Sequence, residues 1–338
     1  MRIRVGLCCV GAAALAVTAV LAFGTVGVGA STGSDAAEQL LDGTRQAVTS
    51  HDFDGVMVVE WSDRGGRIQR TTVPVTNDDG RLRIQGLQTH MGAGPSEIVM
   101  GDQHALVMWT QAEDAAVPSA SKKYRLTVQD GPAVAGRTTT LVEARAAGAQ
   151  RTSARFFVDR ETGILLRSQQ FGADGRLVRS VSFMQISEPV AAPAPKATAP
   201  PSSSYAARAT RTVAKPFRAP ARAGTGYALV GRYQMPNGTV QLFYSDGLFD
   251  VSLFQQKGHL DWGGLPAGGT DAKVAGRTAR RYVIPGGVAL VWDARGVVYT
   301  CVTDAPSADL AAFVSAFPTD SGSGWGDAVD VVLAPFSW

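Results

Sequence analysis

Cysteine is scarce: the chain has three in 338 residues, and two of them, Cys8 and Cys9, fall within the first nine positions. Beyond residue 30 only Cys301 remains, so no disulfide can form within the rest of the chain. Cys301 lies in the apolar run Val297 to Val302. There it reads as a small buried hydrophobe, not a nucleophile or metal ligand. Histidine is equally thin. His51, His90, His104 and His259 are scattered, with no ligand spacing between any two. There is no GxSxG elbow, no phosphate-binding loop, no GxGxxG after a strand and no cysteine–histidine pair. Asp78/Asp79 and Asp159/Glu161 sit in turn sequences, where carboxylates cap backbone amides. No catalytic residue, metal ligand or cofactor is expected, and the chain reads as a non-enzymatic binding protein.

Long apolar runs are missing after residue 30, so no later transmembrane helix is expected. The start is different. Arg2 and Arg4 precede a stretch, Val5 to Val28, without a single charge, and Val28-Gly29-Ala30 has the small-x-small form of a cleavage site. Residues 1–30 therefore read as a signal peptide and the protein as exported, periplasmic or otherwise extracytoplasmic. The alternative is an uncleaved N-terminal membrane anchor, because about 20 apolar residues span a bilayer. Cys8 and Cys9 come too early for a lipoprotein site.

Residues 189–223 divide the remainder. This stretch holds seven of the 17 prolines, and its charges are Lys196, Arg208, Arg211, Lys215, Arg218 and Arg222, with no acid. It buries too little apolar surface to offset its ordering entropy and reads as a semi-stiff spacer. Removing Arg2, Arg4 and these six from the 32 basic residues leaves 24 against 29 acidic ones, so the flanking parts are acidic and the spacer basic. Two readings stand: a plain soluble spacer, or one that touches an anionic surface, lipid or protein. Nucleic acid is not an expected partner, since the basic residues lie in a segment with few aromatic platforms.

Residues 35–188 open with Ser34 as a helix N-cap and a helical face of Leu40, Leu41, Ala47 and Val48. Strand patterns follow. Gly55–Trp61 is apolar on both faces, Arg70–Val75 and Arg81–Gln85 alternate, and Asn77-Asp78-Asp79-Gly80 joins the last two. Further strands are expected at 97–100, 105–109, 124–128, 138–143, 154–158, 164–171 and 176–184. The turns Asp159–Gly163 and Gly172–Gly175 make the last of these an antiparallel meander. One helix and about nine or ten strands imply a curved sheet partly wrapped round a helix. Met57, Met91, Met100, Met108 and Met184 concentrate here. Methionine suits adaptable apolar pockets as well as ordinary cores. An apolar cavity, if formed, is expected at Val56, Val58, Met100, Met108 and Trp109.

Residues 224–338 read as a smaller α+β domain. Strands are expected at 227–234, 240–244, 249–254, 280–284, 288–292 and 297–303, with a surface loop over 255–278. Pro306 opens a helix whose apolar face is Leu310, Phe313, Val314 and Phe317. The pentapeptide Val134-Ala135-Gly136-Arg137-Thr138 recurs at Val274-Ala275-Gly276-Arg277-Thr278. Each copy precedes a strand.

The run Tyr244-Ser245-Asp246-Gly247-Leu248-Phe249-Asp250-Val251-Ser252-Leu253-Phe254 resembles the central motif of the RseB/MucB family, periplasmic regulators of envelope-stress sigma factors. The hairpin from Val158 to Arg176 and the strands and helix from Gly287 to Phe317 resemble the same family. The resemblance covers roughly residues 36–318. It implies a LolA-like N-terminal half-barrel able to hold lipid or acylated ligands. It also implies a small domain that docks on the outer segment of a transmembrane anti-sigma factor, with Tyr244, Asp246, Leu248 and Phe249 as candidate contacts. The protein would sit peripheral to the membrane and shield its partner from proteolysis until ligand releases it. A LolA-like lipid or lipoprotein carrier is the alternative.

Overall fold

A computed structural model describes residues 33–63, 66–78, 81–85, 97–100, 118–187, 208–210, 212–234, 238–265, 267–284 and 287–318. It belongs to the α+β class, with two antiparallel sheets and few helices. The leader, the strand expected at 105–109 and the tail after residue 318 lie outside the described residues.

Helix α1 (Gly33–Ser50) comes first. It begins one residue before Ser34, which therefore sits in the first turn instead of capping it. The first sheet contains β1 (Phe53–Ser62), β2 (Ile68–Asp78), β3 (Arg81–Gln85), β4 (Glu97–Met100), β5 (Tyr124–Val134), β6 (Arg137–Ala146), β7 (Ala154–Asp159), β8 (Leu165–Phe171) and β9 (Leu177–Ser187). Their spatial order is β4-β3-β2-β1-β9-β8-β7-β6-β5, so the sheet is open, with β4 and β5 at its edges. β9 returns to pair with β1, which places Val59 opposite Val181 and Met57 opposite Phe183.

On β5, Tyr124 and Leu126 are buried while Arg125 and Thr127 are exposed. Since α1 packs on β5 and β6, it covers the Tyr124/Leu126 face. Helix and sheet meet tightly at the β7–β8 turn: a Cβ added to Gly163 would lie 3.6 Å from the Ala47 Cβ. One cross-strand row on this face runs Leu126, Ala144, Ala154, Gln170, Arg179, Trp61. It is apolar at the β5 end and turns polar at Gln170 and Arg179. The Asp159 turn is structural: its carboxylate accepts from Arg137 Nη1 at 2.8 Å and from the Thr162 hydroxyl at 2.7 Å.

The second sheet contains β10 (Arg208–Ala209), β11 (Arg222–Ala223), β12 (Tyr227–Gln234), β13 (Val240–Ser245), β14 (Asp250–Lys257), β15 (Thr270–Val274), β16 (Arg277–Ile284), β17 (Gly287–Ala294) and β18 (Val297–Thr303). Its order is β10-β12-β13-β14-β18-β17-β16-β15, with β11 also paired to β12. Two features differ from the sequence reading. The stretch 255–278 is not one loop: β14 runs on to Lys257, and Thr270–Val274 forms the edge strand β15. The turns between them carry Trp262 and Leu265, which close a second small core around Phe254, Leu260, Tyr282, Val291 and Val298. The end of the basic spacer is also part of this sheet. Val213, Phe217 and Ala219 pack against the core, and the buried Gln255 amide bonds both the N–H and the carbonyl of Arg218. The side chains of Lys215, Arg218 and Arg222 stay exposed.

Helix α2 (Ser307–Ser315) follows Pro306 and covers the sheet. Phe313 is fully buried, 5.1 Å from the Tyr244 ring, 5.9 Å from Tyr227 and 5.4 Å from Phe317. Phe313→Ala removes the ring on which the other three converge. The expected cost is about 3–5 kcal/mol, read from chemical denaturation. A loss under about 1 kcal/mol would mean that the site collapses and the cluster is not the keystone of this core.

The repeated pentapeptide marks one hairpin solution used twice, at the edge hairpin of each sheet. Ala135 and Ala275 both lie at φ 50°, Gly136 and Gly276 both at φ 78°, the two positive values a type I′ turn needs. Beyond that, the sheets differ: the last strand of the first pairs with its first strand, whereas β18 pairs with β14. Alanine pays a Cβ penalty in this conformation that asparagine largely avoids. Ala135→Asn is expected to raise stability by about 1 kcal/mol in urea unfolding. No gain there would mean the turn relaxes around alanine.

Candidate functional site

The two sheets meet at a polar seam built from two loops of the second sheet. The first is the β13–β14 loop, which carries the Tyr-Ser-Asp-Gly-Leu-Phe motif. Every residue from Gln241 to Val251 is buried. The loop is held from within: Asp246 Oδ1 accepts from Leu248 N–H at 3.0 Å and Phe249 N–H at 2.8 Å, and the Ser245 hydroxyl accepts from Gly247 N–H at 3.1 Å. Gly247 has φ +96°, and a Cβ there would come within 2.5 Å of the Pro118 carbonyl oxygen and 2.8 Å of the Ala120 nitrogen. Only glycine fits this approach of backbone to backbone.

The first sheet answers with Lys123 and Tyr124. Lys123 Nζ donates to Asp246 Oδ2 at 2.6 Å and to Asp309 Oδ2 at 2.6 Å. The Tyr124 hydroxyl donates to Asp246 Oδ2 at 2.7 Å, and its ring meets Phe249 edge-on at 6.0 Å. Burial, followed by the charge of Asp246, pushes the Tyr124 phenol far above its ordinary range, so it acts as a hydrogen-bond donor throughout.

The second loop, Thr303–Ala305, lies over the polar end of the inner row. Gln170 Nε2 donates to the Asp304 carbonyl at 2.5 Å. Arg179 Nη1 stands 3.7 Å from Asp304 Oδ2, with side chains only 7% and 4% exposed. Asp304 Oδ1 accepts from Asp250 N–H at 3.0 Å. Burial raises the Asp304 carboxyl to about 6, against the opposing pull of Arg179 and the Asp250 amide. Burial likewise lowers the Arg179 guanidinium.

The predicted residues are divided by this arrangement. Tyr244, Asp246, Leu248 and Phe249 come together, all under 10% exposed, but they face the protein's own first sheet and the α2 core. The Tyr244 hydroxyl is spent on the Pro220 carbonyl at 2.9 Å. In this arrangement none of the four is open to a partner, because the loop closes the seam. Val56 and Val58 share one face of β1 by strand alternation, opposite Met57 and Val59 of the main core. Met100 ends β4 in register with Leu82, and Met108 and Trp109 lie outside the described residues. Of the other methionines, Met57 is core and Met184 is 47% exposed. The seam residues Lys123, Tyr124, Gln170, Arg179, Asp304 and Asp309 had no local signal, since their partners lie up to 186 positions away. Among the described residues no group of His, Cys, Asp or Glu could hold a metal ion, and no helix is long and apolar enough to cross a membrane.

Residues 36–202 match the family model of the MucB/RseB N-terminal domain. The chain belongs to the MucB/RseB family. Among solved structures it is similar to MucB, at 20% identity and TM-score 0.49, covering 84% of this chain and 98% of that one. It is also similar to a complex of MucA and MucB from Pseudomonas aeruginosa, at 18% identity and TM-score 0.43, covering 81% and 95%. A LolA superfamily protein from Nitrosomonas europaea aligns at 5% identity and TM-score 0.19, covering 47% and 94%. No curated protein matches the sequence significantly. The motif run is thus, in this member of the MucB/RseB family, the loop that ties the second sheet to the first.

Proposed function

We propose that this MucB/RseB family protein is an extracytoplasmic regulator. It binds the outer segment of a transmembrane anti-sigma factor, as MucB is paired with MucA in a solved complex, and so tunes release of an envelope-stress sigma factor. The observation that carries this reading is the second sheet, tied to the family domain through the Asp246 loop. A carrier of lipids or lipoproteins needs only the first sheet. Lipid or acylated ligands at Val56, Val58, Met100, Met108 and Trp109 would serve as the releasing signal. By linkage such a ligand promotes release only if it binds the partner-free form better.

In this reading residues 1–30 direct export, 35–188 form the ligand domain, 189–223 a spacer whose far end, from Arg208 on, joins the second sheet, and 224–338 the partner domain. The function is binding, not catalysis. Tyr244, Asp246, Leu248 and Phe249 act on the partner through the seam: Asp246, Leu248 and Phe249 become available when the sheets part, and Tyr244 holds the loop in shape. The protein from residue 31 onward, immobilised and exposed to detergent-solubilised membranes, should retain a single-span anti-sigma protein. Retention of acyl lipid with no such protein would favour the carrier instead.

A further inference from the structure

Lys123 immediately precedes β5 of the first sheet, yet both carboxylates that receive its ammonium lie beyond that sheet, Asp246 in the β13–β14 loop and Asp309 on α2; the ring of its neighbour Tyr124 stands 5.3 Å away. The ammonium lies 2.6 Å from Asp246 Oδ2, 2.6 Å from Asp309 Oδ2 and 4.6 Å from the centre of the Tyr227 ring. Each wall is fixed without help from the first sheet. Asp246 is oriented by the Leu248 and Phe249 amides. Asp309 accepts from the Thr225 hydroxyl at 2.9 Å and the Tyr227 hydroxyl at 3.3 Å. Two carboxylates beside an aromatic face make a receptor for an ammonium group. A planar guanidinium would be a poorer guest, because its donors spread in a fork instead of converging from one atom. Directly beside this pocket Asp246 Oδ2 takes the Tyr124 hydroxyl and Phe249 meets the Tyr124 ring.

We infer that the second sheet carries a receptor for a lysine followed by an aromatic residue, that Lys123–Tyr124 fills it as an internal ligand, and that a partner segment with the same pair takes it when the sheets part. The seam is suited to such exchange. The carboxylates of Asp246, Asp304 and Asp309 outnumber the cations Lys123 and Arg179, so closure buries more negative than positive charge. Interfaces between units of one chain behave like transient protein contacts. A competing lysine also recovers the contacts that the internal one gives up, which keeps the cost of exchange small. The inference deepens the proposed function by naming the chemistry of its partner, and it rests on that reading only for who the partner is.

The test uses the full chain from residue 31 with Lys123→Ala/Tyr124→Ala, which vacates both positions. The probe is the chain's own segment as a free peptide, acetyl-Ser-Lys-Lys-Tyr-Arg-amide, followed by calorimetry. The double variant should bind it at least tenfold more tightly than the wild type, whose pocket is filled. Norleucine in place of the second lysine, or Asp309→Asn added to the protein, should each remove at least tenfold. Equal binding to wild type and variant, or binding indifferent to norleucine and to Asp309→Asn, would overturn the inference. Should Tyr124→Ala prevent folding, Lys123→Ala with n-butylammonium as probe puts the same question to the pocket, with Asp309→Asn again as the control. No anti-sigma protein enters these measurements, so they stand or fall separately from the membrane retention experiment.

Discussion

Gly247→Ala is expected to part the two sheets. The residue sits at φ +96°, where any side chain is strained, and the added Cβ would be driven against backbone atoms of residues 118 and 120, the nearest at 2.5 Å. Backbone cannot swing aside as a side-chain tip can, and the β13–β14 loop is itself pinned by the Asp246 and Ser245 caps. The strain and the overpacking together should cost roughly 3–5 kcal/mol. That is the same size as what the Lys123 and Tyr124 bonds to Asp246 return together, at about 1.5–3 kcal/mol per charged hydrogen bond, so the strain offsets the contacts that hold this loop closed. The strand cores on either side are untouched. Calorimetry should therefore show two separate transitions, and small-angle scattering a larger radius of gyration. A single transition at the wild-type temperature would mean that the loop tolerates a Cβ and is no clamp.

Why the seam was hidden from a sequence reading, while the sheets were not, follows from the range of the interactions. Strand alternation, glycine turns and the helix with Leu310, Phe313 and Val314 on one face are local patterns, and these elements lie close to where periodicity puts them. Cys301 is buried as its apolar run implied, with its thiol pushed upward by that burial. β15 was missed because Thr-Asp-Ala-Lys-Val, although it alternates, carries little apolar bulk and follows a glycine-rich stretch; it is a strand because β16 offers it an edge. The motif run was legible as special, but its surroundings were not. Asp246 looks like a contact residue for another protein until Lys123, 123 positions earlier, is seen to satisfy it. Lys123 itself is one of two adjacent lysines before a strand, a pattern with no information about its partner. The spacer was legible only in composition. Its prolines and arginines do not reveal that Gln255 fastens Arg218 by both backbone groups.

Asp304→Ala is the other substitution with a large expected effect, and its pH behaviour distinguishes it from a simple loss of packing. Burial raises the carboxyl to about 6, with Arg179 and the Asp250 amide pulling it back and the nearby Asp246 adding to the rise. In the parted form, where it meets water, its ordinary value of 3.8 applies. The folded value is the higher one, so closing the seam takes up a proton between about pH 4 and 6. The contribution of Asp304 to closure is complete below the lower value and is lost as pH rises through the upper one. Wild-type closure, measured against Asp304→Asn to cancel other carboxylates, should strengthen on acidification across this window. A seam that weakened instead would show that the carboxylate is held charged by Arg179. At pH 7.5 the charged Asp304 is costly to bury, yet deleting it is worse. Alanine leaves the Arg179 guanidinium in place without this carboxylate and takes the acceptor from the Asp250 N–H. Breaking one side of a buried pair costs about 3–5 kcal/mol, whereas replacing both sides by apolar groups is often near neutral. Asp304→Ala should lose that amount, Asp304→Asn less because it keeps the acceptor, and Arg179→Met/Asp304→Ala should recover much of it. If the double variant is as weak as the two single losses added together, the ion pair is not what couples these residues, and the Gln170 bond to the Asp304 carbonyl must hold this end of the seam.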